Sequence, residues 1–119
     1  MRKVNFTEKL SEFSDHWSPK VIAEINDYQF KLVKIEGEFI WHNHADTDEA
    51  FIVLEGSMFI ELVGETVELK EGEMYVVLKG VEHKPYALEE CKVMLVEPRG
   101  VANTGNITND LTSSNDVWI

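Results

Sequence analysis

Residues 37–57 read GEFIWHNHADTDEAFIVLEGS, and this stretch contains two of the four histidines in the chain, His42 and His44. The segment that leads up to them is rich in aromatic and β-branched residues, which predicts a strand. Side chains two positions apart in a strand project from the same face. We therefore expect the two imidazoles to point together, with Cα atoms about 6.5–7 Å apart, a spacing that suits two ligands of one ion.

Two further candidate ligands lie later in the chain. Glu49 follows the turn-rich loop ADTD and opens the next strand, so a hairpin could return it to His44, although the loop alone does not fix which face it takes. His83 follows a glycine-containing turn much farther along, and only closure of the sheet into a barrel would bring it to the same place. We expect the fourth histidine, His16, to be structural or exposed.

Nearly all of residues 20–97 reads as short strands separated by turn residues. We count about eight or nine strands of four to eight residues, with a turn roughly every ten residues, which predicts an all-β sandwich or barrel. A short helix is predicted over 5–13, where Phe6, Leu10 and Phe13 recur at helical spacing. The polar tail, 98–119, is predicted to be irregular and docked by its last three residues, so the chain is expected to be one domain over 1–119.

Composition narrows the expected partners and compartment. The chain has 22 acidic and 11 basic residues and a net charge of -11, which disfavours nucleic acid and membrane surfaces as partners. No apolar run reaches the ~20 residues of a membrane span, and the N-terminus lacks the apolar core of a secretory signal. The single cysteine, Cys91, is expected to be a small buried side chain rather than a reactive thiol or metal ligand. We therefore expect a cytoplasmic protein.

The pattern around the histidine pair resembles the first motif of the cupin superfamily, specifically of small single-domain microbial cupins. That motif is a glycine, His-X-His, a glutamate and a second glycine. Here these positions are Gly37, His42, His44, Glu49 and Gly56. The gap between the first glycine and the first histidine is one residue shorter than usual, whereas the remaining spacing matches.

The second cupin motif is also present, with two departures. It contains a glycine, a proline, a second glycine, a histidine and an asparagine. Gly72, Gly80 and His83 match, whereas Leu78 stands in place of the proline and Ala87 in place of the asparagine. Neither departure falls on a metal-ligand position of the family, so only the turn before the histidine and one polar contact after it are in question.

The resemblance implies a double-stranded β-helix, the jelly-roll cupin barrel, with a metal held inside it by His42, His44, Glu49 and His83. Three imidazoles and a carboxylate suit a divalent transition metal, namely Mn, Fe, Co, Ni, Cu or Zn. Octahedral coordination would leave two positions for water or substrate, unlike a closed structural zinc site.

Strand alternation predicts what surrounds this ion. Residues on the ligands' faces would form a largely apolar wall, suited to a small ligand with one or two metal-binding oxygens. The predicted wall residues are Glu38, Ile40, Phe51, Val53, Val81 and Pro85.

Three functions are compatible with such a site. The first is a metal-dependent enzyme, of oxygenase or isomerase type, that transforms a small oxygen-bearing compound. The second is a non-catalytic module that binds a small ligand or a metal. The third is a homodimer with a mainly structural metal, whose interface would use Trp17, Trp41 and Trp118. Small cupins of this kind resemble the barrel of mannose-6-phosphate isomerases, but the motif region has few bases and no glycine-rich phosphate loop, which disfavours a sugar phosphate.

Overall fold

A computed structural model of the protein describes residues 2–119, and its regular secondary structure is almost entirely antiparallel β, which confirms the predicted fold class. Within those residues there are one helix and seven strands. In chain order they are α1 (Phe6–Leu10), β1 (Lys20–Ile25), β2 (Tyr28–Glu38), β3 (Glu49–Glu55), β4 (Ser57–Leu62), β5 (Glu65–Lys70), β6 (Met74–Val77) and β7 (His83–Pro98).

The long strand β7 joins the two halves of the fold. Its start pairs with β4, with His83 opposite Leu62, and its later part pairs with β3, with Val93 opposite Val53. Strand β2 runs beside both parts of it. The sheet order is β1-β2-β7-β3-β6, and the β4–β5 hairpin is attached through β7. Because one strand changes partners along its length, the sheet folds over itself into the jelly roll.

The core lies between the inward faces of these strands. Alternate residues of β2 and β7 point into it, among them Val33 and Ile35 from β2 and Val93 and Leu95 from β7. Each fully buried side chain of this size stabilises the fold by about 1.5–3 kcal/mol relative to an exposed one. The same alternation decides which polar side chains enter the barrel.

The helix is shorter than the predicted range of 5–13 and lies against the outside of the sheet. The side chain of Asn5 caps its start by accepting a hydrogen bond of 3.0 Å from the backbone nitrogen of Glu8. Leu10 and Phe13 pack on an outer apolar cluster that includes Leu32. No helix within residues 2–119 is long and apolar enough to cross a bilayer.

Two predictions about the strands are wrong. The segments VEHKPYAL and CKVMLVEP form a single strand, β7, so the structure has seven strands rather than eight or nine. His42 and His44 were expected within a strand, whereas β2 ends at Glu38 and an isolated bridge between His42 and His83 continues the pairing. The register of β2 against β7 shifts at Gly37, whose φ of +78° bends the chain at this bulge.

The tail beyond β7 is irregular, as predicted, and its last residues are fastened to β1. The backbone nitrogen of Val21 donates to the carbonyl of Val117 over 2.7 Å, and the nitrogen of Ile119 donates to the carbonyl of Val21 over 3.1 Å. Midway along the tail, the nitrogen of Asn106 donates to the carbonyl of Asn43 over 3.1 Å. The tail therefore touches the loop that carries the histidine pair.

Candidate metal centre

The structure brings the four predicted ligand residues into one buried cluster. His42 and His83 exchange two backbone hydrogen bonds, of 3.0 and 2.9 Å, and their ring centroids are 4.3 Å apart. The ring of His44 lies 5.2 Å from that of His42 and 5.8 Å from that of His83. Glu49, the first residue of β3, places Oε1 3.4 Å from Nε2 of His44 and 3.7 Å from Nε2 of His83. Closure of the sheet thus brings His83 to the other three side chains, which the local sequence pattern alone could not predict.

Two of the imidazoles are oriented by backbone carbonyls. Nδ1 of His42 lies 2.9 Å from the carbonyl oxygen of Ile40, and Nδ1 of His83 lies 2.9 Å from that of Val81. A carbonyl can only accept, so each Nδ1 carries the proton and donates it. In the neutral rings Nε2 is then left with a free lone pair, which is the form of imidazole that ligates metals.

The cluster leaves polar atoms without partners. Nε2 of His44 and Nε2 of His83 are buried and have no hydrogen bond within the described chain, residues 2–119. A buried polar atom without a partner is costly, and such atoms are rare in folded proteins. One ring nitrogen from each of His42, His44 and His83 lies within 4.8 Å of the other two. The arrangement fits a cation that would satisfy all three.

The electrostatics favour a neutral His42 beside an ionised Glu49. Burial, followed by the neighbouring His83, lowers the pKa of His42 from 6.5 to about 4. Burial would raise the pKa of Glu49, but the neighbouring side chains of His44, His83 and Glu97 outweigh it and hold that pKa well below its ordinary value. Neutral imidazole and ionised carboxylate are the states that bind a divalent ion.

Glu97 is a member of the cluster that the sequence analysis missed. It lies on β7 and is 1% exposed. Ala50 of β3 pairs with Val96 of β7, so Glu49 and Glu97 are the next cross-strand neighbours. Burial and the negative charge of Glu49 raise the pKa of Glu97 well above its ordinary value, against the opposing effect of Lys31.

Lys31 approaches Glu97 from β2. Its Nζ donates to Oε1 of Glu97 over 2.7 Å, and both side chains are almost completely buried. Strand alternation could have found both residues. Glu97 has the parity of the core residue Leu95, and Lys31 has the parity of Val33. Each continues an inward-facing row with a charge in place of an apolar side chain.

A small apolar cavity of about 30 Å³ adjoins the cluster. His42 and Glu49 form its polar end, and Phe51 and Pro85 line it, as predicted. The other predicted wall residues do not line it. Val53 is buried in the core, Ile40 is half-buried, and Glu38 and Val81 are exposed. From the pair Glu38–Tyr86 to the bridge His42–His83 the chain advances four residues on one side and three on the other, and this extra residue reverses the parity that the straight-strand prediction assumed for Glu38 and Ile40.

Two aromatic residues that were not predicted to line the site close the cavity. Phe39 is buried and its ring meets that of His42 edge-on at 5.4 Å. Trp17 stacks on Phe39 with ring centroids 4.6 Å apart, and its Nε1 donates to the carbonyl of Glu36 over 3.0 Å. Trp17 therefore belongs to the cavity wall, and only Trp41 and Trp118 of the three tryptophans are exposed.

The remaining candidates lie away from the cluster. His16 is partly exposed and its Nε2 lies 2.7 Å from Oε2 of Glu90 at the surface. Cys91 is fully buried in the core, and burial, followed by the charge of Glu55, raises its pKa to about 11. A buried thiol with a raised pKa is unreactive, in agreement with the expectation from the sequence.

Comparison with known proteins agrees with this architecture. A crystal structure of a cupin-2 domain containing protein from Shewanella frigidimarina is 64% identical, with a TM-score of 0.80 over 81% of this chain and 94% of that one. The crystal structure of protein NMB1881 from Neisseria meningitidis is 32% identical, with a TM-score of 0.75 over 82% of this chain and 99% of that one.

A curated relative and a family profile complete the comparison. The uncharacterized protein YdbB of Bacillus subtilis is 42% identical over 64 residues, which are 53% of this chain and 57% of that protein. The chain thus spans little more than half the length of this relative. The profile of the cupin domain matches residues 30–97, a range that contains all four predicted ligands and Glu97. The chain therefore belongs to the cupin domain family.

Proposed function

We propose that the protein binds one divalent transition-metal ion through His42, His44, His83 and Glu49. The observation that carries this proposal is the buried convergence of four donor groups, with the Nε2 atoms of His44 and His83 lacking a hydrogen-bond partner within residues 2–119. Three imidazole nitrogens and one carboxylate oxygen suit Mn, Fe, Co, Ni, Cu or Zn. The identity of the ion is open among these.

We further propose that the ligand or substrate is a small, mainly apolar compound that offers one or two oxygens to the ion. The cavity beside His42 and Glu49 supports this, because aromatic and aliphatic side chains form most of its wall. A bound ion would act as a Lewis acid towards those oxygens. The protein's own contribution is to exclude water with Trp17 and Phe39 and to orient the ligand against the ion.

A metal-dependent enzyme of oxygenase or isomerase type is the activity we favour. A sugar phosphate is disfavoured as its substrate, because neither lysine nor arginine is among the residues that line this cavity. A phosphate group would need positive charge there. The alternative is a non-catalytic module that binds the same kind of ligand. Ligands that raise the melting temperature without turnover would favour that alternative.

Metal titration tests the proposal most simply. We expect apoprotein to take up about one Mn²⁺ or Co²⁺ per chain, and His44→Ala to lose most of this binding while its circular dichroism keeps the β signal. His16→Ala is the matched control, since this imidazole is paired with Glu90 at the surface. Full metal occupancy in His44→Ala, or equal losses in both variants, would count against the site.

We also propose that the protein forms a homodimer and that it is located in the cytoplasm. The outward face of β3 and β6 supports the first, because Ile52 pairs with Met74 there and Met74 is 63% exposed. Light scattering on the wild type and on Met74→Lys tests the homodimer. A monomeric wild type would contradict it. The free, buried Cys91 supports a reducing compartment.

A further inference from the structure

We propose that Glu97, held by Lys31, is a positioning residue that fixes the carboxylate of Glu49 for the metal. The inference rests on the proposed metal function and adds residues to it that neither cupin motif contains. It starts from the placement of Glu97. The ligand atoms of His44, Glu49 and Glu97 all lie within 4.8 Å of one another, and all three side chains are buried.

The two carboxyl groups face each other for a structural reason. The antiparallel register of β3 and β7 sets Glu49 beside Glu97 on the inward face. Antiparallel neighbours of this kind have Cβ atoms about 4.5–5.5 Å apart, which is within reach of two glutamates. Oε2 of Glu97 is fully buried and has no partner in residues 2–119 unless it shares a hydrogen with Glu49.

Lys31 fixes the other end of Glu97. Its ammonium group lies 2.7 Å from Oε1, and it is only 2% exposed, so water cannot replace this contact. With Oε1 held in this way, the carboxyl group cannot turn away from Glu49. Oε2 therefore stays directed at the Glu49 side chain, whose Oε1 faces His44 and His83.

The buried side chains of Lys31, Glu97 and Glu49 form a polar row. This row has no evident role in the packing of the barrel. A buried ion pair contributes little to stability compared with well-packed apolar side chains of the same size. Partners that orient a ligating carboxylate, by contrast, raise metal affinity by about 10- to 100-fold. The row Lys31–Glu97–Glu49 ends at the candidate ligands, which fits the second role.

Two variants test the inference by Co²⁺ titration, followed through affinity and the visible spectrum. Glu97→Gln keeps both contacts, because the amide oxygen accepts from Lys31 and the amide nitrogen donates to Glu49. We expect its Co²⁺ affinity to stay within about threefold of wild type, with the same spectrum. The double variant Lys31→Met, Glu97→Leu removes both partners of the buried ion pair, so that neither is left behind as an unpaired charge. We expect it to bind Co²⁺ about 10- to 100-fold more weakly, with a changed spectrum.

Each other outcome overturns the inference in a recognisable way. Equal weakening in both variants would make Glu97 a direct ligand, since a neutral amide replaces a carboxylate poorly on a metal. Wild-type affinity and spectrum in the double variant would reduce Glu97 to packing. If circular dichroism shows that the double variant does not fold, Lys31→Met alone takes its place. We expect this single variant to bind Co²⁺ more weakly than wild type, and unchanged binding would contradict the inference. A wild type that binds no Co²⁺ would instead refute the proposed metal function itself.

Discussion

At the scale of single residues, the site depends on how its buried imidazoles are oriented and on keeping His42 neutral. Carbonyl groups of Ile40 and Val81 hold the Nδ1 atoms of His42 and His83, and burial opposes protonation of His42 at Nε2. This arrangement destabilises the apoprotein at low pH, because burying a neutral His42 ties its stability to pH.

The first prediction concerns that pH dependence. His42 has a pKa of about 4 in the folded protein against 6.5 when unfolded, so the unfolded chain binds more protons between these values. The stabilising contribution is complete above pH 6.5 and is lost as the pH falls towards 4. Between about pH 7 and 4.5, the wild-type apoprotein should lose on the order of 2 kcal/mol more unfolding free energy than His42→Asn.

Urea unfolding at several pH values measures this difference. Asparagine keeps a donor for the carbonyl of Ile40 but has no group that titrates in this range, which makes His42→Asn the appropriate reference. Parallel stability curves for the two proteins would show that His42 does not titrate with a lowered pKa.

The second prediction concerns Cys91. Its thiol is fully buried and its pKa is raised to about 11, so almost no thiolate is present near neutral pH. An aromatic disulfide reagent, followed by absorbance, should react with the unfolded protein in urea and leave the native protein unmodified over the same minutes. Rapid modification of the native protein would contradict this burial.

At the scale of elements, the site is assembled by the start of β7, the start of β3 and the loop after β2. The tail braces that loop. Gly105 has a φ of +59°, and a Cβ at this position would overlap the carbonyl oxygen of Asn43 and lie 3.2 Å from Cδ2 of His42. Only glycine allows the tail to approach the histidine loop so closely.

The third prediction follows from this close approach. Gly105→Ala should destabilise the protein by about 1–3 kcal/mol and weaken metal binding, because the tail must move away from the loop. Gly100→Ala is the control, since Gly100 also has a positive φ, of +86°, but an added Cβ there meets no atom of residues 2–119 within 4 Å. Urea unfolding and Mn²⁺ titration of both variants separate the two effects. Gly100→Ala introduces backbone strain alone, whereas Gly105→Ala introduces backbone strain and a clash with the histidine loop. Equal effects of the two substitutions would mean that the tail does not brace the site.

At the scale of the whole molecule, we expect the protein to fold without bound metal. The core cluster of the barrel is apolar and includes none of the four candidate ligands, so the apoprotein should keep its strands. Bound metal then adds stability by mass action, about 2.7 kcal/mol at an ion concentration one hundred times the dissociation constant. We expect a chelator to lower the melting temperature of the loaded wild type by several degrees and to leave that of His44→Ala unchanged. Loss of the β signal on chelation would make the metal structural instead.

Local pattern predicted the strands, the short helix and the irregular tail, because alternation and turn residues act over a few positions. The meeting of His83 with His42 could be expected only from family resemblance, since it depends on sheet closure. The cavity wall was partly mispredicted because one extra residue between Glu38 and His42 changes the parity before the histidine pair. Glu97 was overlooked although its alternation with Leu95 points it inward, and the position of β7 beside β3 gives it a partner.

Anomalous diffraction from crystals of the protein grown with Mn²⁺ or Co²⁺ tests the central claim most directly. The account predicts one strong peak per chain, about 2.0–2.2 Å from a nitrogen of His42, His44 and His83 and from a carboxylate oxygen of Glu49. A peak located elsewhere, or no peak at these four side chains despite saturating metal, would contradict it.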